Sequence, residues 1–280
     1  AAQDDGAYHH ELTTAIAVAR EAGALLRERF GHVRDVQYKG LVDPVTDADK
    51  ASEALIAERL LAEYPDDRLL AEEGSGAGEN TGAERLWIVD PLDGTVNFMH
   101  GLPVFAVSIA LRAGDETVVG VIYDPLRDEL FAAQRGGGAT LNDQPMQVSE
   151  TSELLRALLV TGFAYDVQWR TENLAHFARF TDATQAVRRD GSAALDLAYV
   201  AAGRYDGYWE RGIVAWDIAA AALMLTESGG IVSGYEGQPF DPFAREIVAS
   251  NGKIQAAMLE IIAGVEAEAP DRLPRGVNFS

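Results

Sequence analysis

Hydrophobic positions along the chain recur at helical spacing in some segments and at strand spacing in others, so both element types are predicted. In residues 8–30, apolar side chains recur every three or four positions, and Gly31 follows. A second helix is predicted from Thr46, where T-D-A-D has the form of a capping box, to Tyr64, just before Pro65. The same spacing predicts further helices at 169–181, 192–202 and 216–228.

Runs of apolar and β-branched residues between these helices predict strands. The first half has such runs at 69–72, 86–90, 104–112, 117–124 and 129–134, with Gly, Asp and Pro at the turns. In the second half, strands at 157–161, 205–209, 230–233 and 247–249 are separated by helices. We therefore expect an α+β domain over residues 1–148 and an α/β domain over 149–280, with a frayed tail after about residue 265.

Composition and charge narrow the classes of function. With 280 residues and 48% hydrophobic content, the chain can bury a substantial core. Its 44 acidic and 23 basic residues give a formal charge of −21, which repels nucleic acid and anionic membranes, so neither is expected as a direct partner. The excess of acidic residues is explained equally well by a role in solubility or in adaptation to high salt as by any role in function.

The chain shows no sign of secretion or membrane insertion. It has no cysteine, which excludes disulfides, thiolate metal sites and cysteine nucleophiles. Apolar runs such as 104–111 fall short of the roughly 18 residues that span a bilayer. The first residues, A-A-Q-D-D-G, lack a basic region and an apolar region. A cytoplasmic protein is therefore expected.

The most informative segment is W-I-V-D-P-L-D-G-T-V-N-F at residues 87–98. Asp90 and Asp93 close an apolar strand there, Pro91 stiffens the turn, and Gly94 allows close approach of the backbone. If a short helix begins at Thr95, its first amides suit a phosphate group. The segment therefore predicts divalent cations and a phosphate at one strand end.

Three more carboxylates lie at predicted element ends: Glu72, Glu73 and Asp217. Oxygen ligands without His or Cys favour Mg²⁺ first, and Mn²⁺ or Ca²⁺ after it. Converging carboxylates would raise one another's pKa, so cations would be needed to keep several ionised. Taken singly, Asp217 could be a helix N-cap and Glu73 a solvated loop charge. The G-S-G-A-G segment at 74–78 is read as a surface loop in preference to a nucleotide-binding loop.

Two long motifs resemble the inositol monophosphatase family of Mg²⁺-dependent, lithium-sensitive phosphatases. The first is W-I-V-D-P-L-D-G-T-V-N-F-M-H, and the second is W-D-I-A-A-A-A-L-M-L-T-E-S-G-G at 216–230. The segments D-P-V-T-D-A-D, A-E-E-G and G-S-A-A-L-D extend the resemblance over about residues 10–263. It implies a layered αβαβα sandwich of the inositol monophosphatase and fructose-1,6-bisphosphatase type, and a homodimer.

The resemblance also implies roles for particular residues. Two to three Mg²⁺ ions, with Mn²⁺ as a substitute, would be held by Glu72, Asp90, the Leu92 carbonyl, Asp93 and Asp217. Thr95, paired with Asp49, would orient the attacking water, Glu72 would share in catalysis, and the Gly94 and Thr95 amides would hold the phosphate. The substrate would contact Asp93, Gly94, Thr95, Gly191, Ser192, Ala193, Glu210 and Asp217.

Several of these roles stay open at the level of sequence. Asp49 is also the N3 residue of the Thr46 capping box, so a single carboxylate is assigned two roles that compete for it. Lys39 resembles a family lysine near the metals, but the K-G-L-V-D spacing is one residue short. Two roles are open for Arg188, Arg189 and Arg211. They could bind a second phosphate, or they could form salt bridges at a domain or subunit surface. The salt bridges are the favoured interpretation.

The function expected from the resemblance is hydrolysis of inositol monophosphates to inositol and phosphate by direct attack of a metal-activated water. Relatives act on fructose 1,6-bisphosphate, histidinol phosphate or 3′-phosphoadenosine 5′-phosphate, and these remain alternatives. An alternative of another class is a binding partner in transcription or ribosome assembly. Retention of all the metal ligands and the charge of −21 both disfavour that alternative.

Overall fold

The computed structural model describes residues 7–32, 36–39, 44–74 and 84–268. Within them lie seven helices, of which α3 is a single short turn. None of the described helices combines the length and apolar character that crossing a bilayer requires. The helices are α1 (His9–Arg29), α2 (Asp47–Glu63), α3 (Thr95–Met99), α4 (Val167–Ala183), α5 (Ala193–Ala201), α6 (Ala215–Glu227) and α7 (Gln255–Glu268).

The strands of the described residues form a seven-stranded sheet, a five-stranded sheet and a two-stranded antiparallel sheet. In chain order they are β1 (Gln37–Tyr38), β2 (Pro44–Val45), β3 (Arg68–Ala71), β4 (Arg85–Asp93), β5 (Ala106–Ala113), β6 (Glu116–Asp124), β7 (Glu129–Gln134), β8 (Gly138–Leu141), β9 (Gln144–Pro145), β10 (Leu158–Thr161), β11 (Ala186–Arg188), β12 (Gly207–Arg211), β13 (Ile231–Ser233) and β14 (Glu246–Ser250). The strand order of the seven-stranded sheet is β3-β4-β5-β6-β7-β8-β9. Strands β3 and β4 pair in parallel, and every other neighbouring pair in this sheet is antiparallel. The five-stranded sheet runs β11-β10-β12-β14-β13.

These elements stack in five layers. Helices α1 and α2 cover one face of the seven-stranded sheet, and α5 and α6 pack between the two sheets. Helices α4 and α7 cover the outer face of the five-stranded sheet. The αβαβα sandwich expected from the resemblance is therefore confirmed.

Side-chain alternation explains why β4 is buried on both faces. Leu86 and Ile88 point into the core shared with α5 and α6, whereas Trp87 and Val89 point into the core shared with α1 and α2. The same alternation separates the two faces of β12, because Tyr208 packs in the middle layer and Trp209 packs against the outer helices. Both strands therefore carry nearly continuous buried runs.

The structure corrects the predicted elements in a few places. The strand predicted to end at Asp90 continues to Asp93, and the fourth helix begins at Val167, behind an Asp166 N-cap. Helix α7 was not predicted, nor were the short strands β1, β2, β8, β9 and β11. The tail predicted to fray after residue 265 is helical to Glu268; residues 269–280 lie outside the described part, as do residues 75–83 with most of the predicted surface loop.

Candidate active site

Asp90 and Asp93 reach the same site because the pairing of β4 with β5 is irregular between them. Asp90 pairs with Ser108 and Asp93 pairs with Ala106, so three steps along β4 match two along β5. An extra residue of this kind bends a strand and redirects its side chains. Without the irregularity, residues three apart would point to opposite faces of the sheet.

Asp217 completes the cluster from the first turn of α6. One carboxylate oxygen from each of Asp90, Asp93 and Asp217 lies within 4.8 Å of the others. Asp217 is not the N-cap that the alternative interpretation suggested, because the N-cap is Val214. Asp217 Oδ2 instead accepts a long hydrogen bond of 3.3 Å from the Val214 amide, which leaves the other carboxylate oxygen for a ligand.

The N-terminus of α5 holds Asp93 in place. Ser192, the N-cap of that helix, donates its hydroxyl to Asp93 Oδ2 at 2.6 Å, and the Ala194 amide donates to the same oxygen at 2.7 Å. A helix N-terminus stabilises negative charge in this position. One oxygen of Asp93 is therefore fixed by the protein, and the other is left for the cluster.

The carboxylates oppose one another's ionisation. Burial, with the charges of Glu72, Asp93 and Asp217, raises the pKa of Asp90 well above its ordinary value. Burial likewise raises the pKa of Asp217, with Asp93 and Glu72 adding to the effect. For Asp93, burial raises the pKa to about 6 against the opposing hydrogen bonds from α5. A buried set of oxygen donors with this much repulsion fits a hard divalent cation, which would compensate the negative charge.

Glu72 stands apart from this group and is paired with Lys39. Lys39 Nζ lies 2.9 Å from Glu72 Oε1 and 2.5 Å from Glu73 Oε1. Burial, opposed by Lys39, raises the pKa of Glu72 to about 7. The short spacing after Lys39 therefore does not keep its ammonium from the site. Glu73 is an ion-pair partner there, unlike the solvated charge that the alternative interpretation described.

Asp49 makes the contacts that both of its expected roles require. Its Oδ2 accepts from the Thr46 amide at 2.7 Å and from the Thr46 hydroxyl at 2.5 Å, which completes the capping box of α2. Its Oδ1 accepts from the Thr95 hydroxyl at 2.9 Å. The same hydroxyl lies 3.0 Å from the Leu92 carbonyl. Each carboxylate oxygen thus serves one role.

Gly94 makes the sharp turn from β4 into α3. Its φ of 98° lies in the left-handed region, and a Cβ atom would lie 2.9 Å from the Val104 carbonyl oxygen. Thr95 then begins α3, so its amide belongs to a first turn that has no intrahelical acceptor. The turn therefore requires a glycine because of its φ and its contact with Val104, and the close approach of a phosphate to these amides stays a prediction.

One cavity of about 290 Å³ gathers the predicted site residues. Asp49 is the exception, since it lies behind Thr95 and does not line the cavity. The predicted residues that do line it are Glu72, Asp90, Leu92, Asp93, Gly94, Thr95, Gly191, Ser192, Ala193, Glu210 and Asp217.

The three arginines separate in the structure. Arg189 lines the cavity, whereas Arg188 is exposed on β11 and donates to the Val187 carbonyl. Arg211 is buried on the other side of β12 and does not line the cavity. It forms ion pairs with Glu172 of α4, Glu246 of β14 and Glu266 of α7.

Sequence reasoning missed other residues that line the cavity. Asp196 is 1% exposed, and its Oδ1 has no hydrogen-bond partner among the described residues. Its place three positions after Ala193 on α5 puts both on one helix face, a signal that the G-S-A-A-L-D motif already contained. Arg245 and the aromatic Phe163 also line the cavity, and no local pattern marked either of them.

Comparisons with known proteins agree with this geometry. The model of the inositol monophosphatase family matches residues 8–267. The chain is 47% identical over 259 residues to an inositol-1-monophosphatase of Synechocystis sp., covering 90% of each chain. It is 43% identical over 270 residues to the Nus factor SuhB of Escherichia coli K12, covering 95% of this chain and all of that one. The solved structure of an inositol monophosphatase from Anabaena (Nostoc) sp. PCC 7120 superposes with a TM-score of 0.81 at 45% identity, covering 91% of this chain and 96% of that one.

The layered fold, the acidic cavity and these similarities together define a phosphoric monoester hydrolase. The chain belongs to the inositol monophosphatase family, whose members are metal-dependent phosphatases.

Proposed function

We propose that this protein is a Mg²⁺-dependent phosphatase that hydrolyses inositol monophosphates to inositol and phosphate. The observation that carries the proposal is that the carboxylates of Asp90, Asp93 and Asp217 share one cavity with Glu210. The first three suit the cations, and Glu210 suits a hydroxyl group of the alcohol. The names of the Synechocystis and Anabaena relatives support the same substrate class.

The residues that would hold two to three Mg²⁺ ions, or Mn²⁺ in their place, are Glu72, Asp90, the Leu92 carbonyl, Asp93 and Asp217. When bound, such ions supply Lewis-acid activation of the phosphate ester and of the attacking water, and they stabilise negative charge at the leaving oxygen. Lys39 compensates the charge of Glu72, because the two groups are 2.9 Å apart.

Thr95 and Asp49 are proposed to orient and deprotonate the attacking water. The Thr95 hydroxyl lies 2.9 Å from Asp49 Oδ1 and 3.0 Å from the Leu92 carbonyl, and donation to the charged carboxylate leaves its oxygen free to accept a hydrogen bond from water. As the water attacks phosphorus, Thr95 takes its proton and passes its own to Asp49. The Gly94 and Thr95 amides bind the phosphate oxygens, and no covalent phosphoenzyme forms.

The alcohol part of the substrate is proposed to bind against the second half of the chain. Gly191, Ser192 and Ala193 border this part of the cavity, and Glu210 is its buried acceptor. A carboxylate favours a hydroxyl or an amine over a second phosphate, because two anions would repel each other. This feature favours inositol monophosphates over fructose 1,6-bisphosphate.

A phosphate-release assay tests the proposal. Purified protein with Mg²⁺ should release phosphate from inositol 1-phosphate, and Glu72→Gln should reduce kcat/KM by about 100-fold or more because it removes a carboxylate from the site. Fructose 1,6-bisphosphate, histidinol phosphate and 3′-phosphoadenosine 5′-phosphate complete the panel. If any of these three esters has a higher kcat/KM, then that ester replaces inositol monophosphate as the proposed substrate. If the wild type releases no more phosphate than Glu72→Gln does, then the proposal is rejected.

The name of the Escherichia coli relative supports a second candidate function. That protein is called a Nus factor, and it is similar to this chain over its whole length. We therefore keep a role as a binding partner in transcription or ribosome assembly as the alternative. Capture of transcription proteins by both the wild type and Asp90→Asn, with negligible turnover by the wild type, would favour it.

The larger-scale predictions also stand as proposals. We propose two domains that meet near residue 148, a homodimer and a cytoplasmic location. Size-exclusion chromatography with light scattering checks the dimer. Limited proteolysis near residue 148 checks the domain boundary. The two proposed domains are in contact, because α5 and α6 of the second pack against the seven-stranded sheet of the first.

A further inference from the structure

The Glu210 carboxylate lies directly against the backbone of Gly162. A Cβ atom on Gly162 would lie 2.7 Å from Glu210 Cδ and closer still to Oε2. The φ of Gly162 lies outside the left-handed region, so its backbone conformation is one that other residues adopt. A glycine is therefore needed at this position for space.

A tyrosine fixes the same carboxylate from within β12. The hydroxyl of Tyr208 donates a hydrogen bond to Glu210 Oε2, and Tyr208 is 0% exposed. The two residues are two apart on the strand and therefore share a face. Among the described residues, Oε1 of Glu210 has no hydrogen-bond donor, although Glu210 lines the cavity. One oxygen is thus occupied by the protein and the other is available to a ligand.

The Gly162 backbone is itself anchored by the outer layer. Asn173, a fully buried residue of α4, donates its amide to the Gly162 carbonyl and to the Thr161 hydroxyl. Its side-chain oxygen accepts from the indole of Trp209 at 2.7 Å. Strands β10 and β12 are therefore tied together at the point where the Glu210 carboxylate rests, so the carboxylate has a rigid support.

We propose that Tyr208 and Gly162 are positioning residues for substrate selection, because they hold Glu210 so that Oε1 alone accepts a hydroxyl group of the alcohol. A carboxylate fixed in this way loses little side-chain freedom on binding, so more of the hydrogen bond appears as affinity. The inference rests on the proposed function, and it names a hydroxylated alcohol as the feature that the site selects. Tyr208 does not line the cavity, and Gly162, which does, acts in this proposal through its contact with the Glu210 carboxylate.

The test compares one ester that can reach Glu210 with one that has no hydroxyl group to offer. Steady-state constants are measured for inositol 1-phosphate and 4-nitrophenyl phosphate with the wild type, Tyr208→Phe, Glu210→Gln and the double variant. Tyr208→Phe should lower kcat/KM for inositol 1-phosphate about five- to tenfold, mainly through KM, since one hydrogen bond is lost. 4-Nitrophenyl phosphate should change by less than about twofold, because it makes no contact with Glu210.

A double-mutant cycle shows whether Tyr208 acts through Glu210. If it does, adding Tyr208→Phe to Glu210→Gln should change kcat/KM by less than about twofold, because the two residues form one unit. Tyr235→Phe is the matched control, since Tyr235 is also buried but packs in the outer layer, and its kinetics should equal those of the wild type. Gly162→Ala should reproduce the selective loss, and thermal unfolding of every variant checks that the fold persists.

The outcomes separate this inference from the proposed function. If Glu210→Gln lowers activity selectively on inositol 1-phosphate and Tyr208→Phe affects both esters equally or not at all, positioning is wrong and the proposed function stands. An additive double variant also overturns positioning. If Glu210→Gln lowers activity on inositol 1-phosphate no more than on 4-nitrophenyl phosphate, then the proposed role of Glu210 fails, and the positioning inference fails with it.

Discussion

At the scale of single residues, the Thr95 hydroxyl is the group most closely tied to the proposed chemistry. It contacts Asp49 at 2.9 Å and the Leu92 carbonyl at 3.0 Å. Thr95→Ala should lower kcat on inositol 1-phosphate by about 100-fold or more while KM changes less than about threefold, because the proton path is lost and the carboxylates remain. Thr95→Ser keeps the hydroxyl and serves as the control. A Thr95→Ala enzyme with nearly wild-type kcat would contradict the role.

Glu210 links the chemistry of the cavity to the pH dependence of folding. Burial raises its pKa to about 7, against a hydrogen bond from Tyr208 and the charge of Arg189. The folded protein therefore holds a proton that the unfolded chain releases at its ordinary pKa of 4.5. The resulting stabilisation is complete below pH 4.5 and is lost as the pH rises through about 7.

This reasoning predicts a difference between Glu210→Gln and the wild type that depends on pH. The free energy of unfolding of the variant minus that of the wild type should increase by on the order of 1 to 3 kcal/mol between about pH 5 and pH 8, because only the wild type has the Glu210 carboxyl to deprotonate, whereas the other carboxyls titrate in both proteins. Urea unfolding in EDTA at the two pH values measures it. A difference that stays constant between the two pH values would show that Glu210 titrates normally.

Residue-level prediction from sequence succeeded where the signal was local. The T-D-A-D pattern correctly indicated the capping box of Asp49, because its donor and acceptor are three residues apart. The contact between Asp49 and Thr95 joins residues 46 positions apart, so no periodicity could indicate it. It came from the resemblance to a family, as did the expected convergence of Asp217 with Asp90.

At the scale of elements, the prediction failed where the signal was short or long-range. Helix α7 carries Met258, Ile262 and Val265 on its buried face at helical spacing, and they pack against the five-stranded sheet or the helices over it. That spacing is present in the sequence, but the polar, Pro-containing residues after about residue 265 predict a frayed tail. Strand β11 has three residues and is fixed by its pairing with β10, which a local pattern does not contain.

The packing of α6 on the seven-stranded sheet depends on a glycine. A Cβ atom on Gly120 of β6 would lie 2.7 Å from the Ala220 carbonyl oxygen and 3.1 Å from its Cα. Gly120→Ala should therefore destabilise the protein by about 1 to 3 kcal/mol, because the helix backbone must shift. Gly264→Ala is the control: Gly264 lies in α7 with open space around it, so alanine should stabilise by about 0.5 to 1 kcal/mol. Thermal unfolding of both variants checks the opposite signs.

At the scale of the whole molecule, the protein has a formal charge of −21, and its cavity contains a further concentration of carboxylates at Asp90, Asp93 and Asp217. The overall field disfavours every anion, including a phosphate ester, so a local excess of positive charge is required at the site. Lys39 and Arg189 supply part of it. The remainder is the contribution that bound cations would make, which is why charge balance and function are connected in this protein.

Two sources of salt dependence can therefore be distinguished by experiment. Any salt screens the surface repulsion, but only a cation that binds the cluster relieves repulsion among Asp90, Asp93 and Asp217. MgCl₂ at 100 times its dissociation constant should stabilise EDTA-treated protein by about 2.7 kcal/mol. NaCl at matched ionic strength should stabilise it by less than about 0.5 kcal/mol over the same range.

Asp90→Asn is the matched control for this experiment. It should melt at a higher temperature than the wild type without Mg²⁺, because one repelling charge is gone, and MgCl₂ and NaCl should stabilise it equally. Equal stabilisation of the wild type by the two salts would mean that the cluster does not bind the ion.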